Sequence, residues 1–413
     1  MAEYANLITF PSLVESPFVT IRIGDYTFGQ VTRKNSGKSI ETTFPEFCKS
    51  ITVRKINGTV NTYTIIGEYA VAPGDDPNKI DKILGKASTS RKIFISYGDW
   101  ASPMSTYKEE EAIITNVKSN LNMAQFTITY TIEAVSEALS LASNTFSFPA
   151  VKDKPSNRIK YVLKNSKYGL SNIFTGMRTD SIINELIASD DAEVEIPAQN
   201  YISSLAYISF LVRCMKPVNQ SPDSIINTGV YSLVIDDTKS SKLEGLSFRV
   251  VKVSSSVVDD NSLVTYEVDI GYPENNLITQ FQLNNDEAYS ILYDYSEEIE
   301  QNKYIYKIDN KGNMTTEYSP SIARSRTLNK IVPENTTWWT AMTQFPVSAV
   351  LTLKGLLRPA MLMQYVKVNT YFYGRKHISS GIYIITQQLD TINDGGYRTQ
   401  LSLTRVKPDD TLQ

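Results

Sequence analysis

Histidine occurs once in the 413 residues, cysteine twice and tryptophan three times. A single imidazole, His377, excludes multi-histidine metal centres and leaves no spare base. Cys48 and Cys214 lie far apart, in FPEFCKS and FLVRCMKP, without CxxC spacing. Two such thiols build no disulfide framework, so they imply synthesis in a reducing compartment and burial as small apolar side chains. No run of about 18 apolar residues occurs, so no membrane insertion is expected. The N-terminal MAEYANLITFPSLVESPF has neither the basic start nor the apolar core of a signal peptide. No strong tandem repeat at solenoid periods is visible. Basic excess is missing too: 41 Lys plus Arg stand against 44 Asp plus Glu, a net charge of −3. That argues against a dedicated nucleic-acid binder, though not against a surface that nucleic acid passes.

Catalytic motifs are equally scarce. NSGKS at 35–39 has the end of a phosphate loop, but Thr32 stands where the first glycine belongs, and Pro45 and β-branched residues follow instead of a helix. DNKGN at 309–313 puts Lys311 at a liganding position of a calcium loop and lacks the closing glutamate, so it reads as a hairpin turn. The acidic runs Glu109–Glu111 and SEEIEQ at 296–301 would need two carboxylates fixed across a cleft to cleave a glycoside, and read as solvated faces. Trp338 and Trp339 point to opposite faces of a strand, one to a core and one to an interface. No GxSxG or GxGxxG occurs, and His377 falls in a turn between strands. The expectation is a chain that is not an enzyme, with no catalytic residue, no metal ligand and no cofactor.

What the chain does have is β pattern. Hydrophobic residues make up 41%, enough for a core, and 25 tyrosines favour half-wet β surfaces and interfaces. Its length points to two to four domains. SPFVTIRIGDYTFGQV alternates, with turns at its Gly-Asp and Phe-Gly pairs, and ITVRKINGTVNTYTIIGEYA reads as two strands about Asn57-Gly58, which accepts positive φ at both central positions. In PGDDPNKIDKILGKA, Asp75 or Asp76 caps a helix, Pro77 fits its first turn and Gly85 its exit. RKIFISYGDW and the stretch from Glu109 to Ser136 add strands, giving about six strands and one helix. Between 152 and 217 the period changes to that of amphipathic helices: Ile159, Val162 and Leu163; Ile182, Ile183, Leu186 and Ile187; Leu205, Ile208, Leu211, Val212 and Met215. Strands return from 230. The fold class expected is α+β, mainly β, with two antiparallel barrel or sandwich domains flanking a helix-rich insert and a β-rich segment. The divisions are 1–145, 146–229, 230–329 and 330–413.

The chain closes on SGIYIITQQLDTINDGGYRTQLSLTRV, two alternating runs about a glycine-rich turn. Its carriers are Gly381, Tyr383, Ile385, Gly396, Tyr397, Thr399, Leu401, Leu403 and Arg405. This pattern resembles the C-terminal hairpin of tail-hub proteins of contractile-tailed bacteriophages and related injection machines, the late-control-D type. AVLTLKGLLRPAMLMQYVKVNTYFYG looks like the strand pair leading into it. The N-terminal block has the order of a tube-type domain, with Asn57 and Gly58, Asp76 and Pro77, and Gly98 and Asp99 as further assembly candidates. The resemblance implies a homotrimer whose two tube-type domains per chain present six similar domains to a six-fold tail tube. It implies as partners the tail tube protein, a central spike or tail lysin, and other baseplate proteins. It also implies a neutral or acidic lumen through which DNA passes without specific binding, and a place in the virion tail after synthesis in the host bacterial cytoplasm. The rivals are a tail adhesin, which usually carries the repetitive shaft missing here, a tail-associated cell-wall hydrolase, and a tail-tube subunit of one β domain.

Overall fold

The structure is a computed structural model describing residues 17–29, 44, 46–86, 92–99, 109–136, 138–143, 145, 147–164, 193–200, 202–213, 230–236, 238–239, 247–253, 263–269, 278–285, 304–308, 314–318, 347–354 and 362–409. The helix expected at 180–189, Met215, Cys214, the 35–39, 296–301 and 309–313 motifs and the tryptophan pair lie outside the described residues.

The N-terminal unit comprises β1 (Pro17–Ile23), β2 (Tyr26–Gly29), β3 (Cys48–Ile56), β4 (Thr62–Ala70), α1 (Lys79–Lys86), β5 (Lys92–Asp99), β6 (Glu109–Asn122) and β7 (Thr127–Ser136). Then come α2 (Leu139–Ser143), β8 (Val151–Asp153), α3 (Pro155–Lys164), β9 (Val194–Ile196) and α4 (Ser204–Arg213). The middle strands are β10 (Val230–Asp236), β11 (Thr238–Lys239), β12 (Ser247–Val253), β13 (Val264–Asp269), β14 (Ile278–Asn285), β15 (Tyr304–Ile308) and β16 (Met314–Tyr318). The chain ends with β17 (Val347–Lys354), β18 (Tyr365–Phe372), β19 (Arg375–Lys376), β20 (Gly381–Asn393) and β21 (Gly396–Pro408).

Local chemistry accounts for these elements. β7, TITYTIEAVS, alternates strictly between buried and half-buried positions, with β-branched residues suited to a pleated surface. α3 starts on Pro155, whose fixed φ matches the first helical position, and buries Ile159 and Val162. α4 is capped by Ser203, whose Oγ accepts the Ala206 N–H at 3.2 Å. It packs Leu205, Ile208, Leu211 and Val212 against α3 and β10.

The fold is α+β and mainly β, as expected. Fifteen strands belong to one sheet, whose main path runs β14-β17-β21-β20-β3-β4-β7-β6-β5-β1-β2. No barrel closes among the described residues. β13 and β14, from the 230–329 segment, hydrogen-bond into the C-terminal strands. β17 and β18 do not pair with each other: the closing hairpin separates them, β17 on β21 and β18 on β20. One ladder, β13 with β18, is parallel in an otherwise antiparallel sheet.

The path contains the same pattern twice. The N-terminal unit reads β3-β4-β7-β6-β5-β1, and the C-terminal unit reads β14-β17-β21-β20-β18-β13. The match extends to register. Ile65 sits between Ile51 and Ile132, as Leu351 sits between Phe281 and Leu401. β3 breaks register against β4 at Cys48/Ser50, and β14 against β17 at Ile278/Gln280. β6 breaks register against β7 at Ile114/Asn116, and β20 against β21 at Ile385/Gln387. Bulges re-aim a strand and are structural features rather than defects. Two bulges at matched positions align β3, β4, β7 and β6 with β14, β17, β21 and β20. The units differ in the outermost ladder, where β1 runs antiparallel to β5 while β13 runs parallel to β18, in a further shift of β20 against β21 at Ile382/Tyr383, and in the short β11 that pairs with β6.

Ile65 and Leu351 hold matched, fully buried positions. Each truncated to alanine is expected to cost about 2–5 kcal/mol, read by urea denaturation with a single transition, because the sheet is continuous. Two separate transitions would show that the units unfold independently.

Candidate functional site

The two units meet where β3 pairs antiparallel with the outer half of β20, from Ile51↔Ile392 to Ile56↔Gln387. The inner half of β20 pairs instead with β18, from Tyr365↔Ile384 to Val368↔Gly381. The change of partner falls at the Ile385/Gln387 bulge. As a result Ile392 and Tyr397, at the outer end of the closing hairpin, belong to the N-terminal core. The seam is therefore a backbone ladder with an apolar layer beneath it.

Inside the seam lies a buried polar network. Gln388, Asp390 and Ile392 share one face of β20, and Tyr397, Thr399 and Leu401 share one face of β21. Asp390, 1% exposed, accepts from Thr399 Oγ1 at 2.6 Å and Tyr397 Oη at 3.3 Å through Oδ1, and from Gln388 Nε2 at 2.5 Å through Oδ2. Opposite it, Glu110 accepts from Tyr63 Oη at 2.6 Å and pairs with the Lys55 ammonium. Tyr97 Oη stands between the carboxylates, 3.2 Å from Glu110 Oε1 and 3.4 Å from Asp390 Oδ2. One ammonium thus serves two buried acids. Burial drives the Asp390 pKa up and the Glu110 charge adds to this, while Thr399, Lys55 and Gln388 pull it back. Burial and then the adjacent carboxylates push the Tyr97 and Tyr397 hydroxyls well above their ordinary range, so both stay donors.

The expected assembly positions fall in several places. Tyr397 and Thr399 meet at Asp390. Leu401 is fully buried in the C-terminal core. Tyr383 is fully buried and donates to the Ser379 carbonyl at 2.6 Å, and burial pushes its hydroxyl up to about 12 against the opposing charge of Arg405. Arg405 lies opposite Tyr383 in the ladder and donates to the Ile378 carbonyl at 3.1 Å. Gly381 starts β20, and Gly396, at φ 108°, starts β21. Gly98 and Asp99 end β5 opposite Phe18 and Pro17. Asp76 caps α1 by accepting the Asn78 N–H at 3.0 Å, and Pro77 follows it, away from the seam. Asp75 instead accepts the Ala72 N–H at 3.1 Å in the preceding turn.

Asn57-Gly58 departs from the expected turn. Only Gly58 has positive φ, and the β3–β4 ladder stops at Arg54↔Thr62. The reason is that the turn bonds outward: Asn57 N–H reaches the Thr386 carbonyl at 3.1 Å and Gly58 N–H the Leu233 carbonyl at 2.9 Å. The loop thus ties β3 to both β20 and β10.

Sequence reasoning missed Lys55, Tyr63, Tyr97, Glu110, Gln388 and Asp390. Glu109–Glu111, read as a solvated face, are ion-paired to Arg22, Lys55 and Lys92 respectively, and Glu110 is 4% exposed. The available signal was period: Glu110 shares its strand face with Ala112 and Ile114, as Asp390 does with Ile392. His377 is exposed, with Nδ1 2.8 Å from Ser379 Oγ. Cys48 is a free, half-buried thiol. Among the described residues no cluster of three metal-ligating side chains occurs and no helix is long and apolar enough to cross a membrane.

No family model matches this chain, and neither does any curated protein. Solved structures do. A tail protein from Neisseria meningitidis MC58 superposes with a TM-score of 0.51 at 8% identity, covering 94% of this chain and 96% of the other. The 43 kDa tail protein of prophage MuSo2 from Shewanella oneidensis gives a TM-score of 0.46 at 8% identity, covering 95% and 99%. The E. coli c3393 protein, a component of the type VI secretion system, gives 0.47 at 8% identity, covering 87% and 74%. At such identity the likeness to the Neisseria protein shows a shared fold and nothing finer. This chain has the fold of that tail protein.

The raised pKa of Asp390 has a definite sign. A carboxyl that holds its proton more tightly when folded contributes stability fully below the ordinary carboxylate range, and loses it as pH rises through the raised value. Asp390→Asn is therefore expected to flatten the fall in unfolding free energy from acid to neutral pH, measured by urea denaturation across pH. An unchanged slope would mean that Asp390 does not titrate there. Lys55→Met leaves Glu110 buried without its ammonium and is expected to cost about 3 kcal/mol.

Proposed function

We propose that this chain is a structural hub at the end of a phage tail tube. Three copies form a ring around the DNA channel and adapt the six-fold tube to a central spike or lysin. One observation carries the reading: a single chain holds two register-matched β units joined edge to edge. Three such chains supply six comparable units while keeping three-fold symmetry wherever the units differ. The N-terminal unit serves as one tube-type domain, and the C-terminal strands, completed by β13 and β14, as the other. The helix-rich segment, anchored by Gly58 to β10, stands outside the repeated sheet and is available to the spike or to other baseplate proteins.

The proposal requires no covalent chemistry. The acids that a hydrolase reading would recruit, Glu109 to Glu111, are each engaged by a cation. A balanced surface charge suits a lumen through which DNA leaves, since dense phosphate contacts would retard it. The protein belongs, on this reading, to the virion tail and is made in the host bacterial cytoplasm.

Native mass spectrometry across a concentration series is expected to show three copies, and the trimer is expected to capture the tail-tube protein of the same phage. Six copies would identify a tube-like ring instead. A chain that stays monomeric and fails to capture the tube protein would overturn the hub assignment.

A further inference from the structure

We infer that the edge of β14 left unpaired among the described residues pairs, antiparallel and in the register of the β3–β20 seam, with the outer half of β6 from a second copy of this chain. The inference rests on the reading of this chain as a ring-forming subunit and names the strands and residue pairs that close the ring.

The first seam is the template. By the ladder matches, β14 is the counterpart of β3, and β6 is the counterpart of β20. β20 uses its half before the bulge to hold β18 and its half after the bulge to hold β3. β6 uses its half before the bulge to hold β5, from Lys92↔Ile113 to Ser96↔Glu109. Beyond its bulge β6 pairs only with β7 among the described residues, and β14 pairs only with β17. Among the described residues the chain therefore covers one edge of this type and leaves one donor edge and one acceptor edge unpaired, in different units. A contact between two unlike surfaces is heterologous and closes into a ring when its rotation permits.

Burial at matched positions supports the pairing. Ile51 and Val53 of β3 are fully buried, whereas their counterparts Phe281 and Leu283 of β14 are only half-buried. Ile392 at the tip of β20 is 4% exposed, and its counterpart Leu121 of β6 is 62% exposed. Apolar residues thus occupy the same ladder positions in both units, yet only one set is covered. Between β14 and the β13–β18 pair lies a cleft of about 540 Å³, whose lining joins apolar Ile278, Phe281 and Phe372 to polar Lys354, Thr370 and His377. Soluble proteins usually guard a bare edge with lysine, proline or an inward charge. β14, ITQFQLNN, has none.

Carried over from the first seam, the register sets Leu121 opposite Phe281, Asn120 opposite Gln282, Ser119 opposite Leu283 and Lys118 opposite Asn284. The second seam also differs in chemistry. The positions that hold Lys55, Glu110 and Asp390 in the first hold Asn285, Gly381 and Ser119 in the second. It closes without burying those three charges, so the extent of association is expected to rise with concentration and to depend only weakly on pH.

Disulfide trapping tests the register. Two chains are made in a Cys48→Ala, Cys214→Ala background, one with Gln282→Cys and one with Asn120→Cys, both at exposed positions. Directly opposed residues in an antiparallel pair lie within disulfide reach. Mixed and oxidised, the two chains are expected to give covalent dimers on denaturing gels, at least ten-fold more than Gln282→Cys mixed with Lys118→Cys. Leu121→Asp in the otherwise unaltered chain is expected to weaken self-association at least ten-fold with an unchanged melting temperature. Three copies by native mass without the in-register cross-link would overturn this seam and leave the hub reading standing. The cross-link with a copy number other than three would support the seam and overturn the hub stoichiometry. A monomer at every concentration, with no cross-link, would overturn both.

Discussion

The ladder between β3 and β20 is the constraint on which the rest of this structure depends. A sheet edge left bare presents unsatisfied N–H and C=O groups to water and to any other edge. Joining the N-terminal unit to the C-terminal hairpin satisfies two such edges at once and drives Ile51 and Val53 out of solvent. Other features follow from this. β20 has to be long enough to serve two partners, so it runs from Gly381 to Asn393, and it carries a bulge where the partner changes. The Asn57-Gly58 turn gives up the tight hairpin geometry, because its N–H groups are needed by Thr386 and Leu233.

The polar network beneath the ladder is better understood as a choice of partner than as a source of stability. Burying two carboxylates and one ammonium costs desolvation that their mutual attraction offsets only with full hydrogen bonding. Here the donors are supplied from both units: Tyr97 from β5, Gln388 from β20, and Tyr397 and Thr399 from β21. If β14 were laid on β20 in place of β3, Asp390 would face Leu283 and would lose Lys55 and Tyr97. The same apolar pattern would then carry an unrelieved buried acid. The network so discriminates between two edges that backbone hydrogen bonding alone cannot tell apart.

Much of the architecture was legible in the residues, for a physical reason. Strict alternation, as in β7 and the closing hairpin, fixes both strand and face, and capped amphipathic patterns fix α3 and α4. Pairing between distant strands was not legible. β17 and β18 are consecutive in β pattern and look like neighbours, yet a later hairpin lies between them. The parallel ladder of β13 on β18 is likewise set by tertiary packing. Tyr397 and Thr399, singled out by the hairpin pattern, bring their hydroxyls to Asp390. Glu110 and Asp390 were missed because charged residues were read by composition rather than by the face they share with Ile114 and Ile392. An acid in phase with apolar neighbours is a buried acid in search of donors.

The duplication also explains where the two units are free to differ. The registers of the four matched strands, two bulges and the apolar positions along each edge are held in common, since these decide whether one edge fits another. The outermost ladder, the charged network and the helix-rich segment are not held in common. On the hub reading that division matches the task. A six-fold tube needs six similar edges and faces, while a spike with lower symmetry needs features that recur once per chain. A gene encoding two separate subunits would have to specify their alternation through binding alone. Fusing both units in one chain, and locking their shared seam with a network that the second seam lacks, sets the alternation by covalent order and leaves the second seam free to assemble reversibly.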